Sequence, residues 1–298
     1  MISLRRNKRT RGLFAPTVAA TGWGESTLAE ISWDKSRSAA MRWGIAGAVI
    51  GVLLALIAFA PAAWLARAVA SATEQRLQLA DARGTVWSGS AVAVLTGGEG
   101  SRDASSLPGR LSWTLRPRGF GVELMARHAC CLNGDVAIRI KPGISRTGYT
   151  LVPPAGWVGQ WPTAFLGGLG TPWNTMQLGG SVRLASPGLK VESVEGRWVV
   201  DGRADLDLVN VSSRLTTLDN LGSYRMSLTG DAANPGISKV LLTTQEGALK
   251  LSGDGTWGPA GLRFRGEATA APAEEAALSN LLNIIGRRQG ARSVISIG

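Results

Sequence analysis

From Trp43 through Ala66 the chain reads WGIAGAVIGVLLALIAFAPAAWLA, without one charged residue. At about 1.5 Å rise per residue, a helix of this length covers the roughly 30 Å hydrocarbon core of a bilayer. A core helix of a soluble domain keeps a polar stripe, and this run has none. A cleaved signal sequence would have an apolar region of about 7–15 residues placed much nearer the N-terminus. Trp43 and Trp64 stand near the ends, where indole rings favour the headgroup layer. Pro61 falls where a kink is tolerable. The reading is a transmembrane helix over 43–66.

The flanks orient it. Up to Arg42 there are eight Lys or Arg and three Asp or Glu, including the cluster Arg5, Arg6, Lys8, Arg9 and Arg11. Only Arg67 and Arg76, with Glu74 between them, follow the span closely. The basic excess therefore predicts a cytoplasmic N-terminus and an external C-terminal domain. Residues 1–42 are polar and aperiodic, so the expectation is a disordered basic tail. Translation from Met41 would leave span and domain intact. The formal net charge of +11 raises nucleic acid as a partner. That idea fails on placement: beyond Arg42, 24 basic and 18 acidic residues are interspersed, which makes no phosphate-binding stripe.

After a short stalk over 67–81, the grain changes to period two. Leu111, Trp113 and Leu115 alternate with Ser112 and Thr114; Val136, Ile138 and Ile140 alternate with Ala137 and Arg139. The same pattern recurs around Leu206, Tyr224, Leu249 and Phe264. Such alternation marks strands with one buried and one wetter face, as in antiparallel sheets. Turn signals separate the runs, among them Asn133-Gly134, Gly179-Gly180, Pro187-Gly188 and Asp201-Gly202. The fold expected over 82–298 is mostly β, an antiparallel, curved or sandwich-like domain. The stretch near 153–175, with Trp157, Trp161 and Trp173 among Pro and Gly, reads as an irregular linker where the domain could divide. Leu278, Leu281, Leu282 and Ile285 then follow helical spacing, before Gly286 and a short strand over 292–297.

Several phrases, taken in order, carry a resemblance. They are LQLADARGTVWSGSA from Leu77, LSWTLRP from Leu111, LGSY from Leu221, GALKLSGDGTW from Gly247 and LLNIIGRR from Leu281. With the preceding span, this series is similar to the protein N family of the type II (general) secretion pathway. The resemblance runs from about Arg42 to Gly298. It implies an accessory, single-pass inner-membrane subunit of Gram-negative bacteria with a periplasmic domain. The implied partners are the secretin and the inner-membrane platform proteins. No catalytic residue comes with the family, and Gly84 with Trp87 reads as structural. Gly84 and Trp87 form a turn followed by a bulky strand anchor, as do Gly255 and Trp257, and Gly196 and Trp198. Trp113 lies on the apolar side of its strand. Trp157, Trp161 and Trp173 are the candidates for partner contact.

Chemistry-bearing residues are sparse. His128 is the sole histidine, and no nucleophile elbow accompanies it. Cys130 and Cys131 are adjacent; in a strand their side chains would point to opposite faces, against joint metal binding. A vicinal disulfide, an intermolecular bond and two buried thiols all stay open. Gly253–Gly258 matches G-x-G-x-x-G, yet a Pro-Ala-Gly turn and a strand follow where a helix is needed, so it reads as a hairpin turn. Asp205 and Asp207 share a strand face, and solvation explains them. These observations predict no enzyme, no cofactor and no metal. The alternative function is a membrane-anchored lipid-binding or lipid-transfer protein, with acyl chains in a β groove. An apolar face open along its length would favour lipid; a filled core with exposed edges would favour protein partners.

Overall fold

The computed structural model describes residues 21–171, 173–195, 197–231 and 233–298; the first half of the tail expected to be disordered lies outside the described residues. Two units emerge, one ending at Ala58 and one running Phe59–Gly298. The first contains α1, Thr21–Ala58. It takes in residues 21–42, where the sequence predicts no structure; no proline interrupts the chain there, and the residues are mostly tolerant of helix. Its segment Ala40–Ala58 has a mean hydropathy of 2.0 and is long and apolar enough to cross a membrane. The expected single helix through Ala66 is divided. Pro61 has no N–H to donate, and a separate helix α2, Ala62–Ala72, begins after it.

The second unit is one antiparallel, curved and open sheet of sixteen strands. Its first half comprises β1 Leu77–Gly84, β2 Ser88–Thr96, β3 Ala104–Ser106, β4 Leu111–Arg118, β5 Gly121–His128, β6 Asp135–Lys141, β7 Arg146–Val152 and β8 Trp157–Pro162. After a 3-10 turn at Thr163–Leu169 and the short helix α3, Trp173–Met176, come β9 Leu178–Val194, β10 Arg197–Ser213, β11 Gly222–Gly230, β12 Ser238–Glu246, β13 Leu249–Gly258 and β14 Gly261–Ala270. Helix α4, Glu275–Ile285, leads to β15 Arg287–Gln289 and β16 Arg292–Ile297. The order runs from β1 to β7, through β9 to β14, then β16 and β15; β3 pairs with β2, and β8 with β9. Neighbours in space are nearly all neighbours in sequence, as hairpin connections require.

Two long strands join the halves. β9 pairs with β7 through Leu189–Val194 and with β8 through Ser181–Ala185, while β10 runs along its other side. The expected turns at Gly179-Gly180, Pro187-Gly188 and Asp201-Gly202 are therefore strand. The ladder slips between Arg203 and Asp205 opposite Pro187, and again between Val209 and Ser212. At the first slip the Ser186 hydroxyl donates to Arg203 O at 2.6 Å and accepts from Gly188 N–H at 3.2 Å. These are bulges, where Pro and Gly are tolerated inside a sheet. The expected linker is likewise part strand: Trp157 and Trp161 belong to β8.

Three apolar clusters hold the unit together. In the largest, Leu278, Leu281 and Leu282 of α4 pack on Val211, Leu221, Tyr224, Leu249 and Ala268. Full burial of each leucine contributes about 1.5–3 kcal/mol. Tyr224 keeps its hydroxyl satisfied by donating to Leu249 O at 3.1 Å, and burial pushes its pKa well above the ordinary value. A second cluster joins Ala62 of α2 to Ala91 and Trp113. The third joins Ala93, Leu107 and Cys131, with Trp161 and Phe165 against them.

Candidate functional site

The register places one kind of residue along one face. Leu115 lies opposite Leu124, Leu124 opposite Ile138, Ile138 opposite Leu151, and Leu151 opposite Leu189. Beyond the long strands, Leu184 faces Leu206, Leu206 faces Met226, and Met226 faces Leu242. Each of these is half-buried except Met226, which is 38% exposed. The row ends on Gly253 and Gly266, where the ring of Phe264 takes the space. A Cβ on Gly253 would stand 2.5 Å from that ring. Gly253 and Gly255 are thus strand residues with close neighbours, not the turn expected from the G-x-G-x-x-G spacing; the turn is Pro259-Ala260.

The alternate positions carry the charge. Glu123 receives Arg118 at 2.7 Å and Arg139 at 3.1 Å, and these guanidinium hydrogen bonds lower its pKa. Asp135 is gripped by Arg127 through two bonds of 2.6 and 2.7 Å and is lowered for the same reason. Burial alone would raise Asp205, but the Ser227 hydroxyl at 2.6 Å and Arg203 at 2.8 Å carry it below the ordinary value. Asp207 accepts two bonds from Arg225, at 2.6 and 3.0 Å. Of the two aspartates that suggested an acid pair, Asp207 is ion-paired across strands with Arg225, while Asp205 is held by Arg203 of its own strand and by Ser227 across it.

The tryptophans separate. Trp113 is buried, and its ring N–H donates to Val86 O at 3.1 Å. Gly84 has φ +87°, as the turn before Trp87 requires, whereas Trp87 is half-buried and Trp257 sits within β13. Trp198 is exposed and lies 6.1 Å from the Tyr149 ring, centre to centre, on the surface of the sheet. Trp161 packs on the cluster around Cys131. Trp157 is half-buried opposite Ala185. Trp173 lines a polar cleft of about 880 Å³ with Gln177, Ser212, Arg214 and Asp219. The three candidates for partner contact therefore occupy different surroundings.

Sequence reasoning missed the turn after β5. Ala129–Leu132 is not strand, so the two cysteines converge, joined by a disulfide. Cys130 is exposed, Cys131 and His128 are buried, and burial lowers the His128 pKa. His128 Nδ1 lies 3.3 Å from Cys130 Sγ and accepts from Cys130 N–H at 3.4 Å. The Asn133-Gly134 signal next to the pair was the clue that the strand ends before it.

A helix of membrane-spanning length followed by one open, curved antiparallel sheet defines a mostly β protein with one apolar N-terminal helix. The chain belongs to the type II secretion system (T2SS) protein N family, whose family model matches residues 75–295. That stretch begins two residues before β1 and ends within β16, so the family pattern is the sheet with α4. No curated protein and no solved structure matches. Membership makes the chain an accessory secretion component that works with other parts of that apparatus, and implies association with the inner membrane.

Proposed function

We propose that this chain is a single-pass inner-membrane subunit whose periplasmic sheet links or stabilises the secretion platform and the secretin. The observation carrying this reading is the pairing of the apolar segment Ala40–Ala58 with a large sheet left open at β1 and β15. Open edges accept partner strands through backbone hydrogen bonds. The basic tail before the span supports a cytoplasmic N-terminus. The edge at β1 is selective: Asp81 has φ +49° and is bound by Arg83 and Arg110, a bulged and charged edge that discourages indiscriminate pairing. Trp173 in its cleft is the tryptophan we favour for a partner. The role is structural, without catalysis or a cofactor.

The test is a C-terminally tagged chain, checked for periplasmic exposure by protease access, crosslinked mildly in cells and purified. Recovery of secretin or platform subunits well above a control bearing only the span supports the proposal. Phospholipid or lipopolysaccharide recovered without those subunits rejects it.

The apolar row supports a second reading, an acyl-chain groove. Helix α4 fills the end around Tyr224 and Leu249, yet the row continues through Leu124, Ile138 and Leu151, far along the strand order from that cluster. The same purification distinguishes the two.

A further inference from the structure

The turn after β5 holds chemistry that a scaffold does not need. Among the described residues, His128, Cys130 and Cys131 bring one ring nitrogen and two sulfurs within 4.8 Å of one another. We propose that this turn, once its disulfide is reduced, is a site for monovalent copper, bound by both thiolates and by His128 Nδ1.

Donor geometry supports the assignment. Bonds of about 2.3 Å to sulfur and about 2.0 Å to nitrogen, spread trigonally, place the donors roughly 3.5–4 Å apart. The nitrogen and the Cys130 sulfur already lie at 3.3 Å. Because Nδ1 accepts the Cys130 N–H, the ring proton belongs on Nε2, and copper would take the Nδ1 lone pair in place of that long bond. Two thiolates with one imidazole form a soft donor set that suits monovalent copper over hard, oxygen-seeking cations. The backbone is held independently of the S–S bond: Gln160 N–H donates to Cys131 O at 2.9 Å, and Leu132 N–H to His128 O at 3.4 Å.

Access comes from the Cys130 side, since that residue is exposed while Cys131 and His128 are 2% and 3% exposed. An external dithiol supplies the electrons. One thiolate attacks Cys130 Sγ, the S–S bond breaks, and Cys131 leaves and takes a proton. The donor's second thiolate then displaces Cys130, which is protonated as the donor closes its own disulfide. Two electrons and two protons have passed to the protein. Copper binding releases the two thiol protons.

The full chain in detergent, reduced with a phosphine under argon and freed of reductant, would be titrated with copper(I) against a chromophoric chelator. The expected result is one copper per chain for reduced protein and none for oxidised protein, a comparison that needs no substitution. Copper-edge X-ray absorption should show two sulfurs and one nitrogen. Cys131→Ser should abolish binding, and His128→Gln should weaken it by about tenfold or more. Reduced protein that fails to compete for copper overturns the proposal, as does a His128→Gln protein that binds like wild type. An all-sulfur copper shell assembled between two chains overturns it as well.

Discussion

At the scale of single residues, Gly84 shows why certain positions admit no side chain. Its φ of +87° is costly for any residue with a Cβ, and an added Cβ would stand 2.5 Å from Ser88 O. Gly148 in β7 offers the contrast, because a Cβ there meets nothing within 4 Å and its φ is ordinary. Gly84→Ala should therefore destabilise the chain by about 1–3 kcal/mol, the usual cost of a strained backbone. Gly148→Ala should leave stability unchanged or raise it by up to about 1 kcal/mol. Urea denaturation of the detergent-solubilised chain followed by tryptophan fluorescence measures both. Equal effects would mean that the turn before Trp87 relaxes freely. Trp113 makes a second residue-scale case. Trp113→Phe keeps most of the packing on Ala62 and Ala91 but leaves Val86 O without its donor. The expected loss is about 0.5–1.5 kcal/mol, the net worth of a hydrogen bond to a half-buried carbonyl.

At the scale of elements, α4 was legible because apolar residues at 278, 281, 282 and 285 form one stripe, and Leu278, Leu281 and Leu282 prove buried. Leu281→Ala opens a cavity where α4 meets Tyr224 and Leu249, for an expected loss of about 2–5 kcal/mol by calorimetry. The sheet was legible for a similar reason, since alternation survives wherever one face is packed. It failed where a bulge absorbs a Pro or Gly: at Pro187 and Gly202 the local residues are those of a turn, while pairing with the neighbouring strand keeps the chain extended. It failed again at β8, whose Trp157 and Trp161 are separated by a register slip that breaks period two. The convergence of His128, Cys130 and Cys131 was hidden because it depends on where β5 stops. Acid response also belongs to the elements. Glu123, Asp135, Glu192 and Asp205 have folded pKa values held below their ordinary values by hydrogen-bonded and charged partners on the same or neighbouring strands. A carboxylate lowered on folding contributes stability above its unfolded pKa of about 4, and that contribution is lost as pH falls through the folded value. The denaturation midpoint should accordingly decline below about pH 4, in addition to the fall that begins below about pH 6.5, where the unfolded chain protonates His128 while burial holds its folded pKa lower. Replacing Glu123 and Asp135 together by the amides should flatten that decline. An unaltered acid profile in the double variant would show that these exposed pairs contribute nothing measurable.

At the scale of the molecule, the question is which surface of the sheet meets another component. Strand pairing leaves β1 as a long edge, one face with an apolar row and the other with a field of ion pairs. Three exposed positions sample these surfaces: Ala80 on the β1 edge, Met226 on the apolar row, and Leu241 on the opposite face, next to Ser227 and Asp254. A photo-crosslinking residue placed singly at each would report neighbours in living cells. If the edge recruits other secretion subunits, position 80 should give protein adducts that disappear when those subunits are deleted, and position 241 should give few. If the apolar row takes acyl chains, position 226 should give lipid adducts in every background, including one that lacks the secretin. Protein adducts at 226 and none at 80 would place the partner on the row itself and reject strand addition at β1.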